Sequence, residues 1–322
     1  MGRARIFVDG HIGTTGLRIR ELLAPRDDIE LIQTAEADRK DLAARRELLN
    51  QCDLAILCLP DDGAREAVSL IENQETAVID ASTAHRTDPD WVYGLPEMDS
   101  EQRQAVAESR RVSNPGCWPT SPILALRPLI EEGILPAGSP ILLHGLSGYT
   151  GGGRAMIERW EAPENGLVGL PHPAPYAMER HHKHAPEMEK YTGLRAPPYF
   201  LPAVGPFPCG MRVVMPLHTE FLASGANATR IREILVERYR AEKFIRIFEF
   251  ADAVNSDEFR FDPQACNGTN RLDLHVVEHP SGHVLIVGLL DNLGKGAAGA
   301  AVQNLNLMLG FDEAKGLLVD PA

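Results

Sequence analysis

The stretch RIFVDGHIGTTGLRIRELL, residues 5–23, decides the fold class. Residues 5–8 are an apolar, β-favouring run, and residues 16–23 carry apolar side chains at helical spacing before stopping at Ala24-Pro25. Between them lies Gly10-His11-Ile12-Gly13-Thr14-Thr15-Gly16, a GxxGxxG turn rather than GxGxxG. Small residues there let the backbone approach a pyrophosphate, and the N–H groups at the helix start meet its charge. Gly10, Gly13, Thr14, Thr15 and Gly16 are therefore candidate dinucleotide contacts. A tight strand-to-helix turn without a ligand is the alternative.

Outward from this turn the pattern repeats. Strand signals at 29–34, 54–58 and 76–80 alternate with helical signals at 40–49 and 63–72. Short αβ units in series predict an α/β, Rossmann-type doubly wound parallel sheet. A carboxylate at the tip of the second strand would grip a ribose 2′-hydroxyl. Here the tip runs Gln33-Thr34-Ala35, with Arg39 and Lys40 just beyond, which favours NADP(H) over NAD. Beyond residue 140 the pattern changes. Strand-like runs at 141–145, 199–204, 212–217, 272–278 and 284–289 have few helices between them and predict an α+β second domain with a mixed or antiparallel sheet.

The bulk properties narrow the function. The 322 residues suit two domains, and 44% hydrophobic residues suffice for two cores. A net charge of −13 without a basic run argues against nucleic acid. No apolar run approaches the ~20 residues of a membrane span, and the start MGRARIFVDG enters a strand at once, so the expected location is the cytoplasm. Cys52, Cys58, Cys117, Cys209 and Cys266 are odd in number, widely spread and form no CxxC pair, so neither a disulfide framework nor a metal site is expected.

Cys117 stands apart. It lies in NPGCWPTSP, ahead of a helix expected over 123–131, and prolines at 119 and 122 suit only a helix's first turn. A cysteine at a helix amino end has its thiolate stabilised, which serves attack on an activated acyl group. A buried structural cysteine is the competing reading. In HHKHAPE, residues 181–187, a histidine can serve as acid and base, while exposed loop histidines are the bland alternative.

The blocks SNPGCWPTS, HGLSGYTGGGR, HKHAPEME, PAVGPFPCGM and DNLGKGAAGAAVQNLNLMLG, together with DASTAHRTDPDWVYGLPEM, resemble those of N-acetyl-γ-glutamyl-phosphate reductases, in order, over residues 4–310. The chain is similar to the shorter branch of that family. The resemblance implies that Cys117 is the nucleophile, that His182 or His184 is the acid and base, and that an acyl phosphate is reduced through a thioester while phosphate leaves. It further implies that Arg86, Asn114, Arg154 and Lys183 contact substrate anions. Ser82, Gly148, Gly151 and Gly152 would lie along the cofactor, with Asn292, Gly294 and Lys295 at its nicotinamide end. The last helix would return to the nucleotide half, so 1–116 with 297–322 would bind NADP, and 117–296 would carry catalysis and the contacts of a homo-oligomer, dimer or tetramer. Trp118 and Pro122 depart from the family, which more often has Tyr and a small helix former there. Aspartate-semialdehyde dehydrogenase and a lysine-pathway analogue share the chemistry. A binding protein that lost catalysis and a cysteine hydrolase are the readings from other classes.

Overall fold

The computed structural model describes residues 2–35, 38, 41–179, 182–248 and 261–320. The chain divides into two compact units, Met1–Gly116 with Ala297–Leu317, and Cys117–Gly296 with the segment from Leu318 onward.

In the first unit, β1 (Ala4–Asp9) leads through the glycine turn to α1 (Thr14–Leu23), followed by β2 (Ile29–Ile32), α2 (Leu42–Gln51), β3 (Leu54–Leu57) and α3 (Asp61–Ser69). Then come β4 (Ala77–Asp80), β5 (Val92–Tyr93), α4 (Ser100–Glu108) and β6 (Arg111–Ser113). The six strands are parallel, in the order β2-β1-β3-β4-β6-β5. Order reverses between β1 and β3, which opens a crevice at their carboxyl ends. Side chains of β1 alternate between two cores: Ile6 and Val8 pack on α1, Phe7 on the opposite face with Leu49 and Ala64. Both faces are covered, which is why these strands are apolar without interruption.

In the second unit, α5 (Cys117–Glu131) precedes β7 (Leu142–Gly148), α6 (Arg154–Trp160), β8 (Ala174–Pro175), α7 (Ala185–Thr192), β9 (Tyr199–Gly205) and β10 (Met211–Leu217). After α8 (Ala228–Tyr239) come β11 (Ile245–Phe248), β12 (Leu272–Glu278) and β13 (Val284–Leu290). The sheet is mixed, in the order β11-β12-β13-β10-β7-β9-β8, with α5 packed on β10, β12 and β13. The helix expected over 123–131 begins six residues earlier, so Pro122 lies inside it, as does Pro128. Proline removes one helical N–H. At Pro128 the carbonyl left over, that of Leu124, accepts the Tyr239 hydroxyl at 2.6 Å, and long-range packing thereby tolerates what local rules disfavour.

The chain returns to the first unit as α9 (Gly299–Met308), whose Val302 and Leu305 complete the core beside Ile6 and Ile19. The tail does not follow it, contrary to the expected 297–322 boundary. Asn270 N–H donates to Leu318 O, and Asp320 pairs with Arg246 and Arg271, all within the second unit.

Candidate active site

Cys117 is the first residue of α5 and lines a cavity of about 170 Å³ in the second unit. His182, Lys183 and His184 line it from the segment before α7. Gly148, Gly151 and Gly152 form the facing wall. That wall is braced from behind. Asn292 accepts from Gly210 N–H at 2.8 Å and donates to Thr150 Oγ1 at 3.0 Å, and Thr150 in turn donates to Pro208 O at 2.6 Å. The amide of Asn292 is thus spent on holding the loop.

Trp118 and Tyr176, which the sequence reading did not assign to the site, also line the cavity. Trp118 is buried, its ring seated on Gly145 of β7, where a Cβ would stand 2.3 Å from Cζ3. Its indole N–H donates to Tyr176 Oη at 3.0 Å, and Tyr176 Oη lies 3.2 Å from His182 Nε2. The backbone N–H of His184 donates to His182 Nδ1 at 3.2 Å. An amide N–H can only donate, so Nδ1 offers its lone pair and the ring is neutral, with its proton on Nε2. That proton points to Tyr176. Phe200 meets Trp118 and His182 edge-on, at 5.1 and 5.3 Å between ring centroids, and fixes both rings. Burial, with the Cys117 sulfur nearby, pushes the Tyr176 phenol above its ordinary value, opposed by the Trp118 N–H. Ala177, the next residue, is left-handed with φ of 51°, a conformation that L residues adopt at a cost of about 1–2 kcal/mol.

Other expected site residues lie elsewhere. Arg154 is exposed on α6, paired with Glu158 at 2.7 Å, and does not line the cavity. Its i,i+4 partner holds it on the outer face. Arg86 and Asn114 are buried in the first unit. Arg86 donates to the carbonyls of Asn114 at 3.0 Å and Ala81 at 3.1 Å. The Asn114 amide donates to Ala297 O at 2.9 Å and accepts from Asn304 at 3.1 Å. Both side chains shape backbone. Ser82 donates to the buried Asp80 carboxylate at 2.8 Å, and His85 Nδ1 meets the same oxygen at 2.6 Å. Lys295 is fully buried, 5.8 Å from the Phe244 ring centre. Arg39 and Lys40 lie outside the described residues. Among the described residues no group of three or more His, Cys, Asp or Glu is arranged to hold a metal ion.

The first unit carries its own cleft, of about 550 Å³, at the carboxyl ends of β1 and β3. Gly10 and Gly13 line it. Gly10 has φ of +86°, and a Cβ there would stand 2.2 Å from Cys58 O, so only glycine fits. Gly13 caps α1 without a side-chain acceptor, leaving the N–H groups at Thr14, Thr15 and Gly16 for an external anion. Thr34, Leu42 and Pro60 line the remainder. Arg45, not anticipated from the sequence, also faces the cleft, held by Asp9 at 3.0 Å and Glu66 at 2.9 Å. Burial raises the Asp9 carboxyl, and Arg45 opposes that rise. A glycine-lined crevice with unspent helix N–H groups fits a dinucleotide.

The family profile described as "Semialdehyde dehydrogenase, NAD binding domain" matches residues 15–106, and "Semialdehyde dehydrogenase, dimerisation domain" matches 117–292. N-acetyl-gamma-glutamyl-phosphate reductase 2 of Nostoc sp. (strain PCC 7120) is 46% identical, over 98% of this chain and 100% of that protein. The chain belongs to the N-acetyl-γ-glutamyl-phosphate reductase branch of the semialdehyde dehydrogenase family. The enzyme of the same name from Pseudomonas putida is also 46% identical, over 97% of this chain and 98% of that protein. Among solved structures, aspartate semialdehyde dehydrogenase II of Vibrio cholerae aligns with a TM-score of 0.70 at 16% identity, covering 96% of this chain and 99% of that one. At that identity the likeness speaks for the fold. No helix among the described residues is long and apolar enough to cross a membrane.

Proposed function

We propose that this reductase-family chain converts N-acetyl-γ-glutamyl phosphate to the γ-semialdehyde with NADPH, through a thioester on Cys117. The observation that carries this is Cys117 at the amino end of α5, in one cavity with His184 and Lys183, in a chain 46% identical to enzymes of that name. Gly10, Gly13, Thr14 and Thr15 would hold NADPH, which when bound would supply the hydride for the reduction.

The protein's own residues do the rest. Cys117 sulfur attacks the acyl carbon and passes its proton to His184, the bond from carbon to the phosphate oxygen breaks, and the departing phosphate takes a proton from solvent. His184 is favoured over His182 because both ring nitrogens of His182 are engaged, one by a backbone N–H and one by Tyr176. Lys183 meets the phosphate charge. Once the carbon is reduced, the C–S bond breaks, the aldehyde leaves, and His184 returns the proton to sulfur. The dimerisation-domain match supports a homo-oligomer.

The test runs the reaction in reverse, mixing protein, NADP⁺ and phosphate with N-acetylglutamate semialdehyde or aspartate semialdehyde and following NADPH absorbance. NADPH formation with the acetylated aldehyde is expected; preference for aspartate semialdehyde would move the assignment to the sister enzyme. Cys117→Ser should abolish turnover and leave NADPH binding intact, and a variant keeping a tenth of the rate would remove Cys117 as nucleophile.

A further inference from the structure

We propose that Tyr176 is a catalytic hydrogen-bond donor to the acyl oxygen, aimed by Trp118 and His182 as positioning residues; this rests on the thioester reading of Cys117. A phenolic oxygen accepts two hydrogen bonds and donates one. One lone pair takes the Trp118 indole N–H at 3.0 Å. The other takes the Nε2 proton of His182 at 3.2 Å, because the backbone N–H of His184 has already claimed Nδ1. Trp and an amide are donors only, so neither bond can reverse.

The hydroxyl hydrogen is then the one unspent valence, and Tyr176 has no protein acceptor for it among the described residues. Tyr176 lines the same cavity as Cys117. Two incoming donors polarise the O–H and strengthen it toward an acceptor in the cavity. The acyl oxygen becomes an anion twice, when sulfur adds to the acyl phosphate and when hydride adds to the thioester. A donor oriented in advance stabilises both without reorganisation. Burial and the neighbouring sulfur keep the phenol protonated, so it donates a hydrogen bond and keeps its proton. The thiol proton moves only between Cys117 and His184, and the two electrons come from NADPH.

Trp118 and His182 act through Tyr176. The Trp118 ring is accommodated because Gly145 beneath it lacks a Cβ.

The experiment compares wild type, Tyr176→Phe, Trp118→Phe and the double variant in the reverse assay, with melting curves for each. Tyr176→Phe should lower kcat and kcat/KM together by about 10²–10³-fold, with KM and melting temperature unchanged. Trp118→Phe should lose less, and the double variant should be no slower than Tyr176→Phe alone, since Trp118 works through that hydroxyl. A Tyr176→Phe enzyme within threefold of wild-type kcat overturns the proposal while leaving the reductase reading intact. Multiplying losses in the double variant overturn the positioning role of Trp118, since packing alone would give that result. A wild type that is silent with both aldehydes overturns the reductase reading, and this proposal with it.

Discussion

Alanine at Gly145 tests whether the Trp118 seat controls the site. A Cβ there would stand 2.3 Å from Cζ3 of Trp118, 2.8 Å from Cη2 and 2.9 Å from Cε3, where ordinary contact begins at 3.4 Å. The ring must therefore retreat by about 1.1 Å (3.4 − 2.3). It has little room, because Phe200 stands edge-on at 5.1 Å and the indole N–H is tied to Tyr176. Overpacking of this kind costs about 1–3 kcal/mol. Moving the 3.0 Å indole bond out of range removes about 1 kcal/mol more. Against this, replacing glycine in a strand recovers about 0.5–1 kcal/mol of backbone entropy. The clash wins, leaving a net loss of about 1–3 kcal/mol, or roughly 2–12 °C in melting temperature for a unit of this size. Differential scanning calorimetry reads the first effect and the reverse assay the second, since a displaced Trp118 no longer aims Tyr176. In a Gly145→Ala/Trp118→Phe double variant the shorter ring should restore the melting temperature but not the rate. Wild-type melting in Gly145→Ala, or no recovery in the double variant, would refute the reasoning.

Gly10→Ala should weaken NADPH binding at least tenfold and destabilise the first unit, because φ of +86° costs a Cβ-bearing residue about 1–2 kcal/mol and the Cβ meets Cys58 O; fluorescence titration with NADPH checks it, and unchanged affinity would count against the glycine turn as the dinucleotide site. Iodoacetamide at pH 8, read by peptide mass mapping, should mark Cys117 and spare Cys52 and Cys266, whose thiols burial pushes up to about 12. Because these folded values exceed the unfolded value of about 8.5, their contribution to stability is complete below that pH and declines as pH rises above it, toward about 12; a melting temperature that climbs between pH 8 and 10 would contradict this.

Much of the molecule was legible along the chain because the relevant forces are local. The β1–α1 turn needs glycine at a particular backbone angle, and the parallel strands need apolar residues on both faces, so residues 5–23 announce a nucleotide-binding unit by themselves. Cys117 at a helix start is equally local, and the ordered blocks around it identify the family. Less legible were the partners of polar groups that lie far along the chain. Arg86 and Asn114 donate to backbone carbonyls, Asn114 to that of Ala297, 183 positions away, while Asn292 accepts from Gly210 N–H and donates to the Thr150 hydroxyl. Pro122 looks like part of a helix's first turn, but the helix starts at Cys117, and within it Tyr239 satisfies the carbonyl that Pro128 abandons.

By itself, then, the order of residues determined the two architectures and the family, and it put forward Cys117 as the candidate nucleophile, since propensity, periodicity and motif act between near neighbours. Only the tertiary structure brings Trp118, Tyr176 and His182 into one chain of hydrogen bonds, on which the proposals for the histidines and for Tyr176 rest. Hydrogen-bond valence is settled by whichever donors and acceptors folding brings within about 3 Å, and Trp118, Tyr176 and His182 meet only after some sixty residues of intervening chain have been placed.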